Sequence, residues 1–216
     1  MNSFFTSSRF TPYFCLFISG AASLVYELIW IRQLALLFGG TLYAISAVLC
    51  AFMAGLALGS WIIGKFINFQ NTKKKPVNSI LLYGLIEGVI GIYAFLFPYG
   101  LEFIAIWYSP LVSESLVMGS QLHWIEFFLS TALMLPATIC MGATLPLIGS
   151  WSIGKDNDRI LSDVSILYSL NTFGAVAGCL FTQTIAIKYF GVSGTNLTAI
   201  GINILVFFLC VNLKKN

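Results

Sequence analysis

Six stretches of this chain are apolar for about the 20 residues that a helix needs to cross a bilayer. They run from Pro12 to about Leu37, Thr41 to Ile67, Ser79 to Tyr99, Leu122 to Trp151, Ile160 to Phe190 and Thr195 to Leu213. The pattern predicts six membrane-spanning helices in one domain, residues 1–216. Several runs exceed the minimum, which calls for tilting, breaks or extension beyond the hydrocarbon. The segment Leu101 to Ser120 is aromatic but holds Pro110 and two acids, and reads as an interfacial helix and loop. Arg9 before the first run fits a signal peptide, yet that run continues past the roughly 7–15 residues of a signal core, so it reads as a retained first helix.

Composition agrees. Only 9% of the 216 residues are charged and 58% are hydrophobic, against about 25% charged in soluble domains. Mean hydropathy is +0.91. Such a chain cannot cover itself with a water-facing surface, so it is an all-α polytopic membrane protein. The net charge of +3 is too small to argue for nucleic acid. Its distribution fixes a topology, because short cytoplasmic loops collect Lys and Arg. With the N-terminus cytoplasmic, Arg9, Lys65, Lys73, Lys74, Lys75, Lys155, Arg159, Lys214 and Lys215 fall on that side, leaving Arg32 and Lys188 outside. Both termini are then cytoplasmic, in a cell (inner) membrane. The five cysteines are scattered through apolar runs and read as small hydrophobes. With one His and no clustered ligands, the sequence gives no metal site, no cofactor loop and no catalytic constellation.

Helices in lipid associate through close backbone approach at small residues. Ala47, Ala51, Gly55 and Gly59 recur every four residues on the second helix, and Gly174 and Gly178 do so on the fifth. These are the expected packing positions. Pro136 and Pro146 of the fourth helix each remove a backbone donor and clash with the preceding turn, which predicts a kinked or partly unwound helix.

Charge inside the spans carries the candidate chemistry. A carboxylate at the bilayer centre costs about 2.5–3.5 kcal/mol on insertion scales, and intramembrane acids normally face the bundle interior. Glu27 and Glu87 are the candidates, expected to bind a cation, relay a proton or make a structural hydrogen bond. Glu27 is expected against the fourth helix near Pro136 to Thr144. Arg32, five residues on, turns about 140° from Glu27 and reads as snorkelling outward. Glu126 and Asp163 read as ordinary acids near helix starts.

The segments "SGAASLVYELIWIRQL", "LYAISAVLCAFMAGLALGSWIIGK", "LYGLIEGVIGIYAF", "LPATICMGATLPLI" and "LYSLNTFGAVAGCL" resemble, in order, the membrane domain of spermidine synthase-like membrane proteins, a domain similar to half of a major facilitator. The resemblance runs from about Phe17 to Gly191 and includes Asn171 in the Asn-Thr-x-Gly of the fifth helix. It implies a six-helix bundle resembling a facilitator half. Family members commonly continue into a soluble aminopropyltransferase-like domain. Here the sequence ends at "VNLKKN" with no glycine-rich nucleotide loop, so the enzymatic activity is not expected.

Two readings follow. In the first the chain is a membrane subunit or anchor whose basic cytoplasmic face docks a separate protein, such as a soluble synthase-like enzyme. In the second it is a transporter, or a homodimerising half-transporter, for a cationic small molecule such as a polyamine, with Glu27, Glu87, Arg32 and Asn171 as binding residues.

Overall fold

The computed structural model describes residues 7–40, 42–74, 77–113, 120–152 and 160–213. Lys75, Glu114, Lys155, Arg159, Lys214 and Lys215 lie outside the described residues. The described chain is helical: α1 (Ser7–Leu37), α2 (Leu42–Thr72), α3 (Ser79–Ser113), α4 (Ser120–Ser152), α5 (Ile160–Phe181), a π turn (Thr182–Ala186) and α6 (Ile187–Leu213). Among the described residues, five stretches are long and apolar enough to cross a membrane, the last being Leu161–Leu213.

That last stretch has 53 residues and would extend about 80 Å as one rod at 1.5 Å per residue. It does not stay straight. Gly191, with φ 65° and ψ −175°, is non-helical; this region is essentially closed to residues with a Cβ. The break reverses the chain. Gly174 and Gly178 of α5 meet Phe17 and Ala21 of α1 in the same order, so those helices are parallel. On α6, Cys210, Asn203 and Asn196 meet Gly84, Gly91 and Ala94 of α3 in the opposite order. Since Ser19 meets Glu87 and Trp30 meets Phe97, α1 and α3 are parallel.

The other helices follow the same alternation. Ser79, Tyr93 and Tyr108 of α3 bond to Ser150, Leu133 and Glu126 of α4, antiparallel. Gly55 and Ser60 of α2 meet Thr138 and Gly142 of α4, parallel. The main pairs are α1 with α5, α2 with α4 and α3 with α6. This pattern maps onto itself when α1–α3 are exchanged for α4–α6. Gly142 packs on Leu56 as Gly20 packs on Asn171, and Gly59 packs on Ile139 as Gly174 packs on Phe17. The steps from Gly20 to Gly142 and from Phe17 to Ile139 are equal, as are those from Leu56 to Asn171 and from Gly59 to Gly174. The fold is thus two three-helix units in opposite orientation.

Small residues set the pairing. Ala47, Ala51, Gly55 and Gly59 are all buried. A Cβ at Gly59 would strike the Ile139 carbonyl, one at Gly55 the Thr138 side chain, one at Gly174 the Phe17 carbonyl and one at Gly178 the Ala21 carbonyl.

Two expectations are corrected. First, α3 does not end near Tyr99; it continues helically through Pro98 and Pro110 to Ser113. Ile104 and Tyr108 of the extension are buried, and Tyr108 packs edge-on against Phe38 with ring centroids 4.9 Å apart. That burial holds the extension helical despite the prolines. Second, α4 is not unwound: it is assigned as one helix through Pro136 and Pro146, with Pro136 exposed. The irregular backbone lies at the π turn and Gly191 instead.

Candidate functional site

One stripe of α3 carries Tyr83, Glu87, Ile90, Ala94 and Phe97, alternating three and four residues apart, and all are buried. Glu87 is the polar exception within it, and its side chain is completely enclosed. Ser19 of α1 donates to Glu87 Oε1. Asn203 of α6 donates from Nδ2 to Glu87 Oε2 over 2.6 Å, and Tyr26 of α1 donates its hydroxyl to Asn203 Oδ1 over 2.7 Å. The Tyr83 hydroxyl lies beside Ser19 and Glu87 but has no hydrogen bond of ordinary geometry. Cys15 and Cys210 close this cluster on one side. Three helices therefore meet on one carboxyl group without any cation from the described residues.

Above it, Trp30 stacks between Tyr26 and Phe97, with centroids 5.2 Å and 4.3 Å away. Asn196 Nδ2 donates to the Ala94 carbonyl over 2.9 Å. Towards the far end of α3, the Tyr108 hydroxyl donates to Glu126 over 2.8 Å, and His123 Nδ1 stands 3.5 Å from the other oxygen of Glu126.

Glu27 is different from Glu87. It shares a stripe of α1 with the buried Leu16, Gly20 and Leu34, yet is itself only half-buried. No side-chain hydrogen bond to it occurs among the described residues. Because Ala21 faces Gly178 in the parallel α1–α5 pair, Glu27 stands at about the height of the π turn. Asn171 is half-buried and packs against Gly20, and Arg32 is exposed. Glu27, Glu87, Arg32 and Asn171 therefore do not converge on one centre.

At one end of the bundle, Tyr13 and Asp163 both bond to Ser152, and Ser79 bonds to Ser150. Lys65, Lys73 and Lys74 lie towards this end; Arg32 and Lys188 lie towards the other. A cavity of about 530 Å³ opens here, lined by Val77, Asn78, Ser79, Ser150, Trp151 and Leu213. A second, of about 460 Å³, separates α4 from α5 between Pro146, Gly149, Val164 and Tyr168. Neither is lined by Glu27 or Glu87.

No family model, curated protein or solved structure matches this chain.

Sequence reasoning had singled out Glu87 but not its partners. Asn196 and Asn203 are two amides seven residues apart in an otherwise apolar run, which puts them on one face of α6. That spacing was the available signal. Ser19 and Tyr26 are likewise seven apart on α1.

Proposed function

We propose that this chain is an integral membrane subunit that crosses a cell (inner) membrane six times, with both termini cytoplasmic, and holds a separate protein at its cation-bearing end. The observation that carries the reading is the 530 Å³ cavity, lined partly by Asn78, Ser79 and Ser150, at the end where Lys73 and Lys74 emerge. Polar concavity and positive charge together suit a partner with an acidic surface. The reversal at Gly191 supports counting Leu161–Leu213 as two crossings, and the two inverted three-helix units support the likeness to a facilitator half. On the resemblance to spermidine synthase-like membrane proteins, the partner is a soluble synthase-like enzyme.

Native mass spectrometry of the protein extracted in mild detergent tests this. The expected species contains one additional soluble chain, which is released by raised salt and is lost in Lys73→Glu/Lys74→Glu. A lone chain or a homodimer under every condition overturns it.

A second reading has its own observation. Glu27 is a half-buried carboxylate without a hydrogen-bond partner among the described residues, level with a π turn, and such turns are frequent at functional sites. A homodimeric half-transporter would use it to meet a cationic small molecule such as a polyamine. Proteoliposome uptake of spermidine that is lost in Glu27→Gln, with folding intact, would favour this reading. Uptake that is absent in the wild type removes it.

A further inference from the structure

We infer that the enclosed cluster on α3 is a proton-binding site, in which Glu87 carries a carboxylic-acid proton while α1, α3 and α6 are packed together.

The argument begins with solvation. An ionised carboxyl group away from water needs a counter-ion or a full set of donors; failing those, it takes up a proton. The groups facing Glu87 are Ser19, Tyr26 and Cys15 from α1, Tyr83 from its own helix, and Asn203 and Cys210 from α6. No cation is among them. Ser19 donates at Oε1 and Asn203 at Oε2, and the Tyr83 hydroxyl stands beside the carboxyl group as a third neutral group. Asn203 cannot turn its oxygen to a metal ion without losing the Tyr26 hydroxyl that occupies it. The amide orientation thus selects a proton over a coordinated cation.

The fifth polar group completes the count. Tyr83 has a fully buried hydroxyl beside the carboxyl group and no partner of ordinary geometry. A hydroxyl oxygen accepts as well as donates. A protonated Glu87 can donate to that oxygen, so the acid proton has an acceptor inside the enclosed cluster. When the helices separate and water enters, the O–H bond of the acid breaks, the proton passes to water as hydronium and the carboxylate remains. The reverse step takes up one proton as the helices close. The site thereby couples helix packing to proton binding, which goes beyond the anchoring role proposed above and does not depend on it.

Infrared spectroscopy of the full chain in lipid nanodiscs reads the proton directly. The wild type at neutral pH should show the carbonyl band of a protonated carboxylic acid, and Glu87→Gln should lose it. Should that variant fail to fold, Ser19→Ala serves instead: it removes one donor from the carboxyl group and should shift the band. Absence of a protonated-acid band in the wild type overturns the inference. So does a band unchanged in folded Glu87→Gln, or unshifted in Ser19→Ala.

Discussion

Replacing Asn203 by leucine tests the three-helix junction most sharply. The substitution removes two hydrogen bonds, from Nδ2 to Glu87 and from the Tyr26 hydroxyl to Oδ1. An orphaned buried group costs about 1–3 kcal/mol in water-soluble cores. In bilayers the reference state finds other partners, and interhelical bonds average about 0.6 kcal/mol with a maximum near 1.7. Leucine recovers little, because lipid solvates it as well as the bundle does. Two bonds at these values place the loss at about 1–3 kcal/mol. The assay is reversible unfolding in mixed micelles, run as a double-mutant cycle with Tyr26→Phe. Residues in one hydrogen-bond network couple by about 0.5–3 kcal/mol, and a coupling of about 1 kcal/mol is expected here. Strict additivity, within about 0.3 kcal/mol, would refute the claim that these two side chains share a bond.

Three further outcomes follow from the packing. Gly59→Leu should abolish most folded yield, since its side chain meets the Ile139 backbone, while the exposed Leu58→Ala should leave yield unchanged by size-exclusion chromatography. Gly191→Val should destabilise by about 1–3 kcal/mol, the cost of forcing a side chain into this backbone region, whereas Gly201→Ala, in open space on a helix, should stabilise by about 0.5–1 kcal/mol; thermal denaturation in detergent reads both. Tyr108→Phe should cost about 0.5–1.5 kcal/mol by removing the hydrogen bond to Glu126, and should do so equally in a Tyr26→Phe background, because the two junctions share no residue.

Hydropathy made the helices legible because membrane length is a local property of the chain. The four-residue spacing of Ala47, Ala51, Gly55 and Gly59 likewise marks a face, though not its partner. What the sequence could not show is pairing. Glu87 finds Ser19 and Asn203, 68 and 116 residues away along the chain, and no local pattern encodes such distances. The end of α3 was misplaced for the opposite reason: Pro110 and the two acids are strong local signals, but the burial of Tyr108 against Phe38 and Glu126 outweighs them. Pro136 does not unwind α4: it removes a donor on an exposed face, and the helix continues past it. The reversal near Gly191 was legible as a gap between Phe190 and Thr195, yet its π turn has no sequence signature.

The crossing number is the claim on which the account depends, and cysteine labelling measures it directly. In a cysteine-free background, Lys74→Cys, Ser193→Cys and Asn212→Cys are treated with a membrane-impermeant maleimide applied from outside intact cells; Ser193 is exposed beside the reversal and leaves Gly191 in place. Six crossings predict that only Ser193→Cys is labelled, and that Lys74→Cys and Asn212→Cys react only after the membrane is opened. Labelling of Asn212→Cys together with Ser193→Cys, on the side opposite Lys74→Cys, would contradict the reversal and the inverted three-helix units with it.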